Sequence, residues 1–151
     1  MPKATDGLKM KCNMKIDHIA LWAEDIELLR KFYMRYFNMH SNDKYVNTKR
    51  NFSSYFLSFE DGGSRIEIMN IPGKDAPASR GDLKGLAHFS ISVGSRENVD
   101  NMATRFKAAG ITILSNPRTT GDGYYECAIA DPEGNYVGLM DILGDEILIM
   151  G

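Results

Sequence analysis

Apolar and polar residues alternate along Ile16–Ala23, then recur at intervals of three and four from Ile26 onward. The first spacing is that of a strand with one buried face, the second that of an amphipathic helix. Ile26, Leu29, Tyr33 and Tyr36 form the helical stripe, which Leu28, Phe32 and Phe37 widen. Asp25 stands where an N-cap belongs, and Asn38 where a left-handed residue closes a helix. Strand-like runs follow near Tyr55–Phe59 and Arg65–Ile71, about the turn Glu60-Asp61-Gly62-Gly63. Pro, Gly and charge then dominate residues 72–85, which read as a linker.

From residue 86 the same order returns. Leu86–Val93 alternates, Ser95 can cap a helix, and Val99, Met102, Ala103 and Phe106 share one helical face up to Gly110. A short strand Ile111–Leu114, a loop over 115–123 and the strand Tyr124–Ala130 come next. The turn Asp131-Pro132-Glu133-Gly134-Asn135 then leads into Tyr136–Ile142. Each half is therefore one strand, one helix and about three strands, a doubled module. The polar stretch His40–Asn51 reads as strand or loop. His18 and His88 fall at the same point of the two copies.

Strand alternation sorts the side chains by face. Ala87, Phe89, Ile91 and Val93 form an apolar face for a helix to cover, leaving His88, Ser90 and Ser92 on the other. By the same sorting His18, Ala20 and Trp22 share an open face, as do Glu67 and Met69, and Glu126 joins them. Two histidines and two carboxylates from four strands are thus expected on one surface. Glu67 lies inside the apolar run Arg65-Ile66-Glu67-Ile68-Met69, where a carboxylate is costly unless paired or bound to a metal. Histidine and glutamate together suit a divalent first-row metal: Zn, Ni, Mn, Fe or Co.

The whole-chain properties narrow the field. A length of 151 residues with 43% hydrophobic and 25% charged content fits a single globular domain, here 15–143, with module 1 about 15–71 and module 2 about 86–143. A net charge of −2, with no basic stripe or acidic block, argues for no nucleic acid and no membrane as partner. Residues 1–14 have no apolar core of a secretion signal and read as a flexible tail, and residues 144–151 as a C-terminal tail. Cys12 and Cys127 make no disulfide framework, so the expected location is cytoplasmic. Cys127, on the packed face, is expected to be inert.

The segments Asp17–Phe37, Arg65–Pro72, Gly85–Val93 and Asp131–Ile142 resemble the vicinal oxygen chelate superfamily, most closely its glyoxalase I-like branch. The resemblance runs from about residue 14 to 142. It implies an α+β fold of two βαβββ modules forming one curved mixed sheet around a central cleft, in a homodimer. In that pattern a metal is held by His, Glu, His and Glu from the first and last strands of each module. His18, Glu67 and His88 match, while the fourth position is Gly138. Extradiol dioxygenases and fosfomycin-modifying enzymes need that last carboxylate, so their pattern is broken here. Glu126 is then the candidate general base or replacement ligand, a diagonal neighbour of Gly138 if the turn pairs Ala130 with Tyr136. Simple pairing of Glu126 with a nearby cation is the alternative.

The activity implied is that of a metal-dependent lyase or isomerase. It would stabilise an enediolate from a small-molecule substrate with vicinal oxygens, as lactoylglutathione lyases do. The alternative is a non-catalytic drug- or metabolite-binding protein of the bleomycin-resistance type. Trp22 is a candidate floor of the substrate pocket, or a core residue. Arg118, in the loop, is a candidate to meet an anionic substrate group, or part of a solvated turn.

Overall fold

Helix α1 (Ile26–Phe37) begins where the Asp25 carboxylate accepts the Leu28 amide at 3.0 Å, and ends at Asn38 with φ of 52°. Helix α2 (Arg96–Ala108) is capped in the same way by Ser95, whose hydroxyl accepts the Asn98 amide at 3.1 Å. These details come from a computed structural model that describes residues 14–75, 81 and 84–142. The expected tails, Cys12 and the middle of the linker lie outside the described residues.

Around the helices run β1 (His18–Trp22), β2 (His40–Ser41), β3 (Tyr45–Asn47), β4 (Phe52–Ser58), β5 (Arg65–Asn70), β6 (Phe89–Gly94), β7 (Ile113–Thr119), β8 (Tyr125–Ala130) and β9 (Tyr136–Asp141). They form a mixed sheet in each module. The first has the order β1-β5-β4-β2, with β3 also on β4; the second has the order β6-β9-β8-β7. In both, the first strand lies parallel to the last, so the two sheets repeat one plan. The α+β, doubled βαβββ architecture is the one expected. The tight turn before β9 pairs Ala130 with Tyr136 and Ala128 with Gly138, as its length implied.

Local departures have physical causes. The expected loop after Leu114 is mostly strand, because β7 runs on to Thr119. Its position at the sheet edge, with register shifts at Ile113/Ser115 and Ser115/Arg118, accommodates Pro117, which has no amide to donate. Polar His40–Asn51 holds the short strands β2 and β3. β6 starts only at Phe89, so His88 just precedes it, and Ala87 is exposed instead of packed.

One core serves both modules. Phe106 of α2 is fully buried among Phe32, Tyr36 and Phe37 of α1, with ring centroids 6.2, 5.0 and 6.0 Å away. The turn before β9 ties the modules together again. Tyr33 donates its phenol proton to Asp131 at 2.7 Å, and Glu133 accepts the Asp25 amide at 2.7 Å. Burial, then the charge and hydrogen bond of Asp131, push the Tyr33 phenol well above its ordinary value. Cys127 is 1% exposed, and burial pushes its thiol up to about 11, which leaves it inert toward electrophiles at neutral pH.

Candidate metal and substrate site

The open face of the first sheet carries His18, Ala20 and Trp22 from β1 beside Arg65, Glu67 and Met69 from β5. His18 Nε2 and Glu67 Oε1 face each other across 4.0 Å. The other imidazole nitrogen, Nδ1, lies 2.7 Å from Asp17 Oδ2, which also accepts from the Arg65 guanidinium at 2.8 Å. Hydrogen bonds from His18 and Arg65 hold the Asp17 carboxyl below its ordinary value. Phe56, opposite Glu67 on β4, meets the His18 ring edge-on at 5.2 Å. Trp22 is on this face too, edge-on to Phe52 at 6.3 Å and beneath Lys74 at 4.3 Å. It also lines a small cavity with Lys74 and Glu133.

The second sheet has its own concave face. A cavity of about 150 Å³ is lined by His88, Ser90, Ser115, Arg118, Glu126 and Gly138, together with Leu114, Cys127, Ala128 and Tyr136. Arg118 sits on β7 across from Glu126, so it projects from an edge strand instead of a loop, and its Nε donates to Ser115 Oγ at 3.3 Å. Glu126 lies two pairs along from Ala128↔Gly138, on the same face, as the register predicted. At Gly138, a Cβ would stand 2.4 Å from Ser90 Oγ and 3.2 Å from Ser90 Cβ. The parallel register pairs these two residues directly, so the Ser90 hydroxyl fills the space a side chain at 138 would enter.

The expected meeting of His18, Glu67, His88 and Glu126 on one surface is not found within a single chain. Among the described residues, no group of three or more His, Cys, Asp and Glu side chains comes together in a metal-binding cluster. The cavity that His88 shares with Ser90 and Glu126 takes no residue from the first sheet, whereas Leu21 of β1 meets His88 only in a smaller cavity of about 30 Å³. The chain offers two half-sites, His18–Glu67 and His88–Glu126. Sequence reasoning passed over Asp17, Phe56 and Arg65. The Asp17-His18 dipeptide at a strand start was the available signal for the first; only the β4–β5 register supplies the second.

Residues 15–139 match the Glyoxalase/Bleomycin resistance protein/Dioxygenase superfamily. The chain belongs to that superfamily. The uncharacterized protein PA2024 of Pseudomonas aeruginosa is 29% identical over 126 residues, covering 81% of this chain and 84% of that one. Among solved structures, a glyoxalase/bleomycin resistance protein/dioxygenase domain from Frankia superposes with a TM-score of 0.73 at 17% identity, over 85% of this chain and 97% of that one. The trypanothione-dependent glyoxalase I of Leishmania major gives a TM-score of 0.67 at 17% identity, over 91% of each chain. Glyoxalase I of Zea mays gives 0.69 at 22% identity, over 84% of this chain but only 44% of that longer one. At such identities these structures establish the superfamily fold and leave the reaction to the site. Among the described residues, no helix is long and apolar enough to cross a membrane.

Proposed function

We propose that this superfamily member is a metal-dependent lyase or isomerase of the glyoxalase I type, acting on a small molecule with adjacent oxygens. The observation that carries this reading is the facing pair His18 Nε2 and Glu67 Oε1, 4.0 Å apart on an open sheet face. His88 stands at the corresponding point of the second module. Two donors that each lie about 2.0–2.2 Å from one divalent ion are separated by about 3–3.5 Å at common coordination angles. A small rotation of Glu67 closes that difference, so the donor set fits. His18, Glu67 and His88 would hold the ion, with the two half-sites joined across a homodimer, one module from each chain.

A divalent ion, Zn, Ni, Mn, Fe or Co, supplies Lewis-acid stabilisation of negative charge on the substrate oxygens when bound. The remaining work belongs to the chain. Glu126, half-buried beside His88, takes a proton from one substrate carbon and returns it to the neighbouring carbon. Arg118, held toward the same cavity through Ser115, meets an anionic substrate group. Trp22 and Phe52 provide an aromatic flank on the opposing face. The working location under this reading is the cytoplasm.

A second reading, metal-free binding of a drug or metabolite in the same cleft, is favoured by Gly138, where the glyoxalase pattern has a carboxylate and this chain has the Ser90 hydroxyl. Elemental mass spectrometry of the purified protein, of His18→Ala and of His88→Ala separates the two. Near-stoichiometric metal in the parent, lost in both variants, is the expected result. Mixing the two variants is expected to return metal to one of the two sites in each mixed dimer, because one such site receives both histidines. No metal after incubation of the parent with Zn, Ni and Mn would leave the binding protein as the reading to keep.

A further inference from the structure

The two histidines differ in what holds them. The His18 ring is fixed on three sides. Asp17 Oδ2 lies 2.7 Å from Nδ1, Phe56 abuts the ring at 5.2 Å with an interplanar angle of 82°, and Nε2 is turned toward Glu67. Asp17 is itself fixed. Its carboxylate accepts from Arg65 at 2.8 Å, and its carbonyl accepts the Arg65 amide at 2.9 Å. The Arg65 guanidinium also lies over the Phe56 ring at 4.3 Å. Among the described residues, no carboxylate stands in the same relation to His88.

We propose that Asp17 is a positioning residue that locks His18 in its Nδ1–H tautomer and so presents the Nε2 lone pair toward Glu67. An ionised carboxylate only accepts hydrogen bonds, so the proton of a neutral His18 ring must sit on Nδ1. A free imidazole favours the opposite form, with the proton on Nε2, which would place a donor where the proposed site needs a lone pair. Carboxylates that accept the far nitrogen of a metal-binding histidine fix the tautomer and orient the ring. Arg65 completes the arrangement by tying the Asp17 carboxylate to the wall that Phe56 forms. His88, with no such partner among the described residues, takes its tautomer from solvent or from what binds beside it. The site as proposed above therefore has one preset ligand and one adaptable one. This inference rests on that reading for its purpose, but the tautomer itself is a property of the metal-free chain.

The test is long-range nitrogen–proton correlation NMR on the uniformly ¹⁵N-labelled, metal-free protein at a pH where the imidazoles are neutral. His18 is expected in the Nδ1–H form and His88 in the ordinary mixture. In Asp17→Ala, His18 is expected to move to the mixture that His88 shows. Asp17 is 69% exposed, so the variant keeps the fold. A titration of Zn or Ni alone against a competing chelator is expected to show binding weakened about 10- to 100-fold in Asp17→Ala. Arg65→Gln is expected to fall between the variant and the parent. An Nε2–H His18 in the parent, or the same tautomer with and without Asp17, would overturn the proposal. A tautomer that follows Asp17 in a protein that binds no metal would uphold the positioning role and discard the metal reading alone.

Discussion

Replacing Asp131 with alanine is expected to cost about 3–5 kcal/mol of folding stability, since several buried donors lose their acceptor together at about 1–3 kcal/mol each. Asp131 is 4% exposed and accepts the Tyr33 phenol at 2.7 Å, the Asn135 and Glu133 amides at 2.9 Å each, and the Asn135 side chain. Alanine would leave these donors facing a buried space with no acceptor, and each unmet group adds to the penalty. Tyr33→Phe removes a single hydrogen bond to a charged acceptor and is expected to cost about 1.5–3 kcal/mol. Urea unfolding followed by circular dichroism, at fixed protein concentration, reads both. A loss under about 1 kcal/mol for Asp131→Ala would mean that this turn does not hold α1 against the second module.

The second large effect is expected at Gly138. Gly138→Glu alone is expected to destabilise the protein by about 1–3 kcal/mol, the range for overfilling a packed position. The new Cβ would meet Ser90 Oγ at 2.4 Å, and rotating the hydroxyl away still leaves Ser90 Cβ at 3.2 Å. Ser90→Gly removes both contacts, so the double variant is expected to regain most of the loss. The two changes should therefore be strongly non-additive. With the carboxylate accommodated, Zn or Ni affinity is expected to rise about tenfold or more, as added ligand charge does at other metal sites. Gly138→Glu as stable as the parent, with no coupling to Ser90→Gly, would show that the hydroxyl is not what excludes a side chain there.

Much of this structure was legible in the chain. Asp25, Asn38 and Ser95 announced the ends of the helices because capping is a local matter, settled within one turn. The five-residue turn before Tyr136 fixed the β8–β9 register, since antiparallel neighbours joined by a tight turn have few ways to pair. β7 was hidden: Pro117 and a polar run look like loop unless the strand is known to lie at an edge. The contact between Ser90 and Gly138 was beyond reach for a different reason. Parallel strands are joined by long connections, so nothing nearby in sequence sets their register. Alternation also told which side of its strand each of His18 and His88 occupies, but not whether two such sides meet. That depends on how the modules pack around Phe106, and in one chain this leaves the half-sites apart.

The aromatic pairs on the first open face and the small residues on the second have a consequence for what the joined cleft would prefer. The two repeats match where strands are sealed by helices, with Ile19 and Leu21 answered by Phe89 and Ile91. On the open side they agree at the histidine and then diverge: Ala20 and Trp22 against Ser90 and Ser92. A cleft assembled from one face of each kind is polarised from wall to wall. One wall offers the rings of Phe56, Trp22 and Phe52, the other the hydroxyls of Ser90 and Ser115 beside the small side chain of Ala128. Such a cleft distinguishes the two ends of an elongated guest, seating a flat or greasy end against the rings and an oxygen-bearing end against the serines.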